Sequence, residues 1–264
     1  MNQMSAGIPE YYATIADLYD EAASKWSRHF APEWIGKRVH DLDGLSECRV
    51  LDLGCGTGMV VKCLSEHREG IHAEGVDVSP KMLEYARATG RYEKLYTLDL
   101  HNGLPEIASE AFDLVVAFAC LEHLFHPFPC LTETYRVLKV EGRLWASFKA
   151  FEADDDGSPP RRRAFRGDLT QTGYSAAEIL HMMRFLNMRL IALDLVVGYI
   201  TSSGLGCPYY VLRAQKTSAP AQDCQGSGVI PGGRPADLTG TPGPMTDDFG
   251  MGECCRSHDT NSAR

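Results

Sequence analysis

The chain has 264 residues, 44% apolar and 23% charged, and its 26 Lys and Arg against 35 Asp and Glu give a formal net charge of -9. That is enough for one sizeable domain with a buried core, or one domain and a tail. An acidic surface repels phosphate backbones, so a nucleic-acid partner is disfavoured. The longest unbroken apolar run, residues 114–121, has eight members, against the roughly 20 that a membrane-crossing helix needs. Residues 1–25 carry Glu10, Asp17, Asp20 and Glu21 with no apolar block behind a basic start, so no secretory leader is expected. The nine cysteines are scattered and form no C-x-x-C pair, and a zinc site would need them closer together with His partners. They predict free thiols in a reducing, cytoplasmic compartment and no metal site.

The chain divides at residues 1–45, 46–216 and 217–264. In the first part Ile15, Leu18, Tyr19, Ala22 and Trp26 recur at helical spacing, which predicts one amphipathic helix packed on the main domain. In the second, strands are predicted at 49–53, 72–78, 94–98, 112–119 and 142–148, with helices at 57–66, 80–88, 131–139 and 175–186. Such alternation specifies parallel β-α-β units. The fourth strand, FDLVVAFA, is nearly all apolar, as a strand covered on both faces should be. Runs at 190–200 and 209–214 are expected to pair antiparallel at one sheet edge. The last 48 residues hold eight Gly and five Pro with few aliphatics, the composition of a disordered tail.

The first strand runs into Asp52-Leu53-Gly54-Cys55-Gly56-Thr57-Gly58. Glycines after a strand let the backbone turn sharply and approach a ligand, and open parallel sheets bind ligands beyond the carboxyl ends of their strands. A dinucleotide fingerprint needs a small residue three after Gly56, where this chain has the bulky Met59. Asp52 repels a pyrophosphate but suits a cationic amine, met directly or through water. S-adenosylmethionine carries an ammonium, a sulfonium and no phosphate, whereas the nicotinamide reading loses on charge. Asp77, with Val78 beside it, ends the second strand, where a carboxylate can accept ribose hydroxyl protons. Ser79 ahead of Pro80 is the better helix cap. Met82 can cover an adenine face or pack in the core, and Asp99 follows the third strand, where an acceptor meets an adenine amino group.

Over residues 45–150 the chain resembles the class I S-adenosylmethionine-dependent methyltransferases. The resemblance rests on VLDLGCGTG (50–58), EGVDVSPKMLEYA (74–86), LDLHNGLP (98–105), FDLVVAFACLEHL (112–124) and YRVLKVEGRL (135–144), in that order. Within the family it is most similar to the Williams–Beuren-region methyltransferase-like subgroup, partly through Tyr19-Asp20. The resemblance implies an α/β, Rossmann-like fold: a seven-stranded, mostly parallel sheet with helices on both faces and an antiparallel last strand. It implies S-adenosylmethionine as cofactor, with Asp52, Gly54 and Gly56 around its methionine moiety, flanked by Cys55 and Gly58. Asp77 would hold the ribose and Asp99 with Leu100 the adenine, while Tyr12 and Tyr19 are candidates for a lid or for plain helix packing. One departure is Val140-Glu141, where relatives often carry Pro-Gly.

Methyl transfer from a sulfonium is an in-line displacement in which the protein positions and desolvates the nucleophile. A base is needed only for an acceptor protonated at working pH. His123, just past the fourth strand, is the catalytic candidate, against a structural reading as a hydrogen-bonded core histidine. Arg161, Arg162 and Arg163 after Asp154-Asp155-Asp156 could receive an anionic substrate, or form a solvated loop. The expected acceptor is a small molecule, since the place after the fourth strand reads Ala119-Cys120-Leu121-Glu122, without the Pro-Pro-Tyr type motif of nucleic-acid methyltransferases. The rivals are a catalytically silent S-adenosylmethionine-binding protein and a protein methyltransferase.

Overall fold

The computed structural model describes residues 7–23, 29–150, 162–166, 169–201 and 204–218, with the backbone alone at 162–166. The expected roles of Trp26, of Asp154 to Arg161 and of the Gly/Pro-rich segment beyond residue 218 lie outside the described residues.

Seven strands form the main sheet: β1 (Cys48–Leu53), β2 (Ile71–Asp77), β3 (Tyr92–Thr97), β4 (Phe112–Ala117), β5 (Leu138–Lys149), β8 (Met188–Ile200) and β9 (Gly206–Lys216). A separate hairpin, β6 (Arg162–Arg166) with β7 (Leu169–Thr172), falls between β5 and β8 in the chain. The order across the main sheet is β3-β2-β1-β4-β5-β9-β8. β3, β2, β1, β4 and β5 are parallel to their neighbours, while β9 runs antiparallel to both β5 and β8. The reversed last strand is therefore present, and β8 and β9 form the expected antiparallel pair at one sheet edge, with β9 inserted between β5 and the outermost β8.

Period-two side-chain alternation sorts the buried strands onto two cores. On β4, Leu114 and Val116 join Trp145 of β5 and Val211 of β9 on one face. Val115 and Ala117 join Leu51, Leu53, Leu144 and Leu212 on the other. The first face is covered by α3 (Ala31–Arg38) through Trp34 and Ile35, and by α4 (Met59–His67) through Val61 and Leu64. The second is covered by α6 (Phe128–Val137) through Leu131 and Val137, and by α7 (Ala176–Phe185) through Ile179 and Met183. Helix α5 (Pro80–Ala88) has Ser79 as its cap, the Oγ accepting from Met82 N–H, and Pro80 at its first position.

Three sequence expectations are corrected. The N-terminal helix is broken into α1 (Ile8–Ile15), a 3₁₀ turn (Ala16–Leu18) and the short α2 (Tyr19–Glu21). The apolar stripe read as one helix thus spans a bend, and Tyr19 turns into a cavity. Helix α3, which the alternation did not separate from the preceding segment, packs against α4. The helix placed at 131–139 starts three residues earlier and ends at Val137, because β5 begins at Leu138. Glu141 takes φ 64 within β5, where the register against β4 shifts, and not in a turn ahead of the strand, at a backbone cost of about 1–2 kcal/mol.

Candidate active site

The glycine-rich turn lies between β1 and α4, with Gly54, Gly56 and Gly58 all at positive φ. Their surroundings differ. A Cβ on Gly54 would lie 2.4 Å from Cys120 Cβ, whereas one on Gly56 would meet nothing within 4 Å. Gly54 is therefore required by close packing against the loop after β4. Gly56 keeps open a space that a side chain would occupy. Gly58 caps α4, and its missing Cβ makes room for the Tyr92 ring.

Next to this turn, Asp77 closes β2. Its Oδ2 accepts from Gly56 N–H at 2.9 Å and its Oδ1 from Ser79 N–H at 2.8 Å. Burial raises its pKa, opposed by the backbone N–H groups of Ser79, Gly56 and Val78. Asp99 follows β3 and caps the 3₁₀ turn Leu100–Asn102, its Oδ1 accepting from the backbone N–H of His101. After β4 the chain passes through Ala119, a non-glycine residue at φ 53, into the 3₁₀ turn Leu121–His123. A strained backbone at a cleft is a common mark of a functional site.

The roof comes from the N-terminal segment. Tyr12 Oη lies 2.9 Å from His123 Nε2, with the two rings edge to face at 5.6 Å. Tyr12 also meets Tyr19 edge to face at 6.1 Å. Two anchors hold this roof: Asp20 accepts from Thr57 Oγ1 in the glycine-rich turn, and Asp17 accepts from Tyr85 Oη on α5. Burial raises the phenol pKa of both Tyr12 and Tyr19, so they remain neutral donors at ordinary pH.

Together these elements line one cavity. Of the residues picked out by sequence, Tyr12, Tyr19, Gly54, Gly56, Asp77, Val78, Met82, Asp99, Leu100 and His123 line it. Asp52, Cys55 and Gly58 do not. Asp52 is buried behind the turn, where Tyr92 Oη donates to its Oδ2 at 2.8 Å. Burial pushes its pKa up to about 7, against the opposing pull of the Tyr92 hydrogen bond and with a further push from Asp77. The Cys55 side chain packs with Leu83 and Ala86 instead. Sequence reasoning did not assign roles to Tyr92, Phe118, Cys120 and His101. Tyr92 opens β3 and Phe118 directly follows β4, where the pattern speaks of burial alone. His101 does stand inside a quoted motif, directly after Asp99 and Leu100, and that adjacency was a usable signal.

No Lys or Arg is among the described lining residues, so these offer no cationic side chain to a polyphosphate. It presents the carboxylates of Asp77 and Asp99, an aromatic roof and an open glycine cradle. These fit an adenosyl group joined to a cationic amino acid. Cys120 lines the wall, but burial and then Glu122 raise its thiol pKa, which removes it as a ready nucleophile. Among the described residues no three metal-ligating side chains converge, and no helix is long and apolar enough to cross a membrane.

Comparison with known proteins agrees with this architecture. A family profile described as "Methyltransferase domain" matches residues 51–146. The ubiquinone biosynthesis O-methyltransferase of Xylella fastidiosa (strain 9a5c) is 30% identical over 118 residues, 44% of this chain and 46% of that one. The demethylmenaquinone methyltransferase of Tropheryma whipplei (strain Twist) is 29% identical over 140 residues, 53% of this chain and 58% of that one. The chain thus spans about half the length of these curated relatives. Among solved structures, the [4+2]-cyclase SpnF superposes with a TM-score of 0.63 at 19% identity, over 80% of this chain and 96% of that one. The 1,6-didemethyltoxoflavin-N1-methyltransferase of Burkholderia thailandensis superposes with a TM-score of 0.58 at 20% identity, over 80% and 87%. Over residues 51–146 the chain is thus similar to a methyltransferase domain, and its fold is that of solved S-adenosylmethionine-dependent methyltransferase structures.

Proposed function

We propose that the protein transfers the methyl group of S-adenosylmethionine to a hydroxyl oxygen of a neutral small molecule. The carrying observation is the pairing of Tyr12 Oη with His123 Nε2 at 2.9 Å inside the cavity. In the His123 tautomer with its proton on Nδ1, the phenol donates to Nε2, which then presents a lone pair to the place where a hydroxyl already sits. An acceptor hydroxyl displacing Tyr12 would find the same lone pair, and His123 takes its proton as the oxygen attacks the methyl carbon. The absence of Lys and Arg among the described lining residues favours an acceptor without carboxylate or phosphate. The O-methyltransferase name of the Xylella fastidiosa relative supports oxygen as the receiving atom.

In this reading the cofactor supplies the electrophilic methyl and a neutral leaving group when bound. Asp77 holds the ribose hydroxyls, Asp99 and Leu100 the adenine, and Met82 and Val78 pack on its faces. Gly54 and Gly56 let the backbone approach the methionine moiety, with the Asp52 carboxyl group behind the turn. Tyr12 and Tyr19 close the roof and exclude water, which strengthens the electrostatics inside. A cytoplasmic location belongs to the same proposal, supported by six free cysteines among the described residues.

The fold alone does not decide the chemistry, because it is shared with a cyclase. The test is incubation with methyl-labelled S-adenosylmethionine across a panel of phenols, enols, amines, thiols and protein extracts. Label on a hydroxyl oxygen is expected. Label only on protein points to a protein methyltransferase. Tight cofactor binding with no transfer to any acceptor marks a silent binder. Either of the last two outcomes overturns the proposal.

A further inference from the structure

His101 lines the cavity and bridges two of its walls. Its Nδ1 lies 2.8 Å from Asp99 Oδ1, the same oxygen that accepts its backbone N–H at 3.0 Å. Its Nε2 accepts from the backbone N–H of Phe125 at 3.2 Å. A backbone N–H can only donate, and an ionised carboxylate can only accept. Both contacts are satisfied together by one form of the ring, the neutral tautomer with its proton on Nδ1. The imidazolium would place two N–H groups face to face at Phe125, and the other neutral tautomer would set a lone pair against Asp99.

We propose that His101 is a positioning residue for the adenine subsite, acting through Asp99 and locked into its Nδ1–H tautomer by Phe125. The inference rests on the reading of Asp99 as acceptor of the adenine amino group and extends it to a residue that reading does not use. Two donors on one oxygen fix the rotation of the Asp99 carboxylate, which a cap bond from the backbone alone does not. The lock reaches the other wall as well. Phe125 directly follows Leu124, whose carbonyl accepts from Thr172 Oγ1 at 3.2 Å, while Tyr174 Oη donates to the Leu121 carbonyl at 3.3 Å. The loop that carries His123 is thus pinned from β7, from Tyr174 and from His101, and His101 also touches the adenine subsite. Orientation of the nucleobase acceptor and placement of the acceptor-side loop share one imidazole.

The experiment compares two probes by calorimetry: S-adenosylhomocysteine and its purine analogue with hydrogen in place of the 6-amino group. The ratio of their dissociation constants reads the amino-group contact alone. For the unaltered protein a preference of about tenfold or more is expected for one hydrogen bond to a charged acceptor. His101→Ala should reduce it to below about threefold. His101→Asn, whose amide N–H can stand in for Nδ1–H, should recover most of it. Nitrogen NMR of the unaltered, histidine-labelled protein should show His101 protonated at Nδ1 and unprotonated at Nε2, a readout independent of any variant's folding. Asp99→Ala separates the two claims. If it abolishes the preference and His101→Ala does not, positioning by His101 is wrong while the adenine reading stands. If Asp99→Ala leaves the preference intact, the adenine reading falls and the inference with it. A charged or Nε2-protonated His101 overturns the lock.

Discussion

Tyr92, the first residue of β3, donates its phenolic proton to Asp52 of β1 at 2.8 Å, across the intervening β2. It reaches there because Gly58 and Gly75 have no Cβ: one at either position would lie 3.0 or 2.9 Å from its ring. The pair sits behind the glycine-rich turn, so the negative charge expected beside the cofactor's amine is held in a dry pocket and is not displayed in the cavity. Its protonation therefore has consequences for stability.

Asp52 has a folded-state pKa of about 7 against an ordinary 3.8, because burial disfavours its charge. Between about pH 4 and pH 7 the folded chain retains a proton that the unfolded chain has released. The resulting stabilisation is greatest at acid pH, is lost as pH rises through that window, and levels off above it. Asp52→Asn should abolish this slope. Denaturant unfolding at pH 5, 6, 7 and 8 checks it; parallel profiles for the two proteins would show that Asp52 titrates normally.

Gly54 and Gly56 should respond differently to alanine. Gly54→Ala drives a methyl to 2.4 Å from Cys120 Cβ at a left-handed backbone position, and should cost about 3 kcal/mol or more in stability. Gly56→Ala carries the left-handed cost alone, about 1–2 kcal/mol. It should nonetheless weaken S-adenosylhomocysteine binding at least about tenfold, because its methyl occupies the cradle. Thermal melts with and without ligand measure both, and a Gly56→Ala protein with unaltered affinity removes that residue from the site.

His123→Ala is expected to lower kcat by about 10²–10⁴ on the oxygen acceptor found by labelling. Its affinity for S-adenosylhomocysteine should stay within about threefold, the loss of one hydrogen bond to Tyr12 being small beside the rest of the site. Turnover equal to that of the unaltered enzyme leaves His123 a structural residue.

Asp20→Ala breaks the anchor between the roof and Thr57. The N-terminal segment should then open more often, with faster release of S-adenosylhomocysteine and quicker proteolytic cleavage before residue 29. Stopped-flow release and limited digestion read these two effects. Unchanged rates in both indicate that Asp17 and Tyr85 hold the roof by themselves.

Much of the site was legible in the chain because local chemistry forces it. Glycines at 54, 56 and 58, an acid closing β2 and an acid closing β3 occupy the carboxyl ends of parallel strands, where a turn must follow. The side chains of Asp77 and Asp99 accordingly line the cavity. Asp52 shows where this logic ends. Adjacency to the turn placed it near the ligand, but strand alternation buries it behind the turn with Tyr92 as partner. The N-terminal segment is similar: Tyr19 repeats at helical spacing with Ile15 and Leu18, yet a bend after Ile15 takes it out of a packing face and into the roof.

The amino-acid sequence by itself determined the alternating architecture and the residues at the strand ends, since each follows from side-chain period, turn chemistry or charge within a few positions. Only the tertiary structure decided which distant groups share a proton or a wall: Tyr12 with His123, Tyr92 with Asp52, and His101 with Phe125. Those pairings join segments up to 111 positions apart, and no local pattern encodes a contact that packing alone creates.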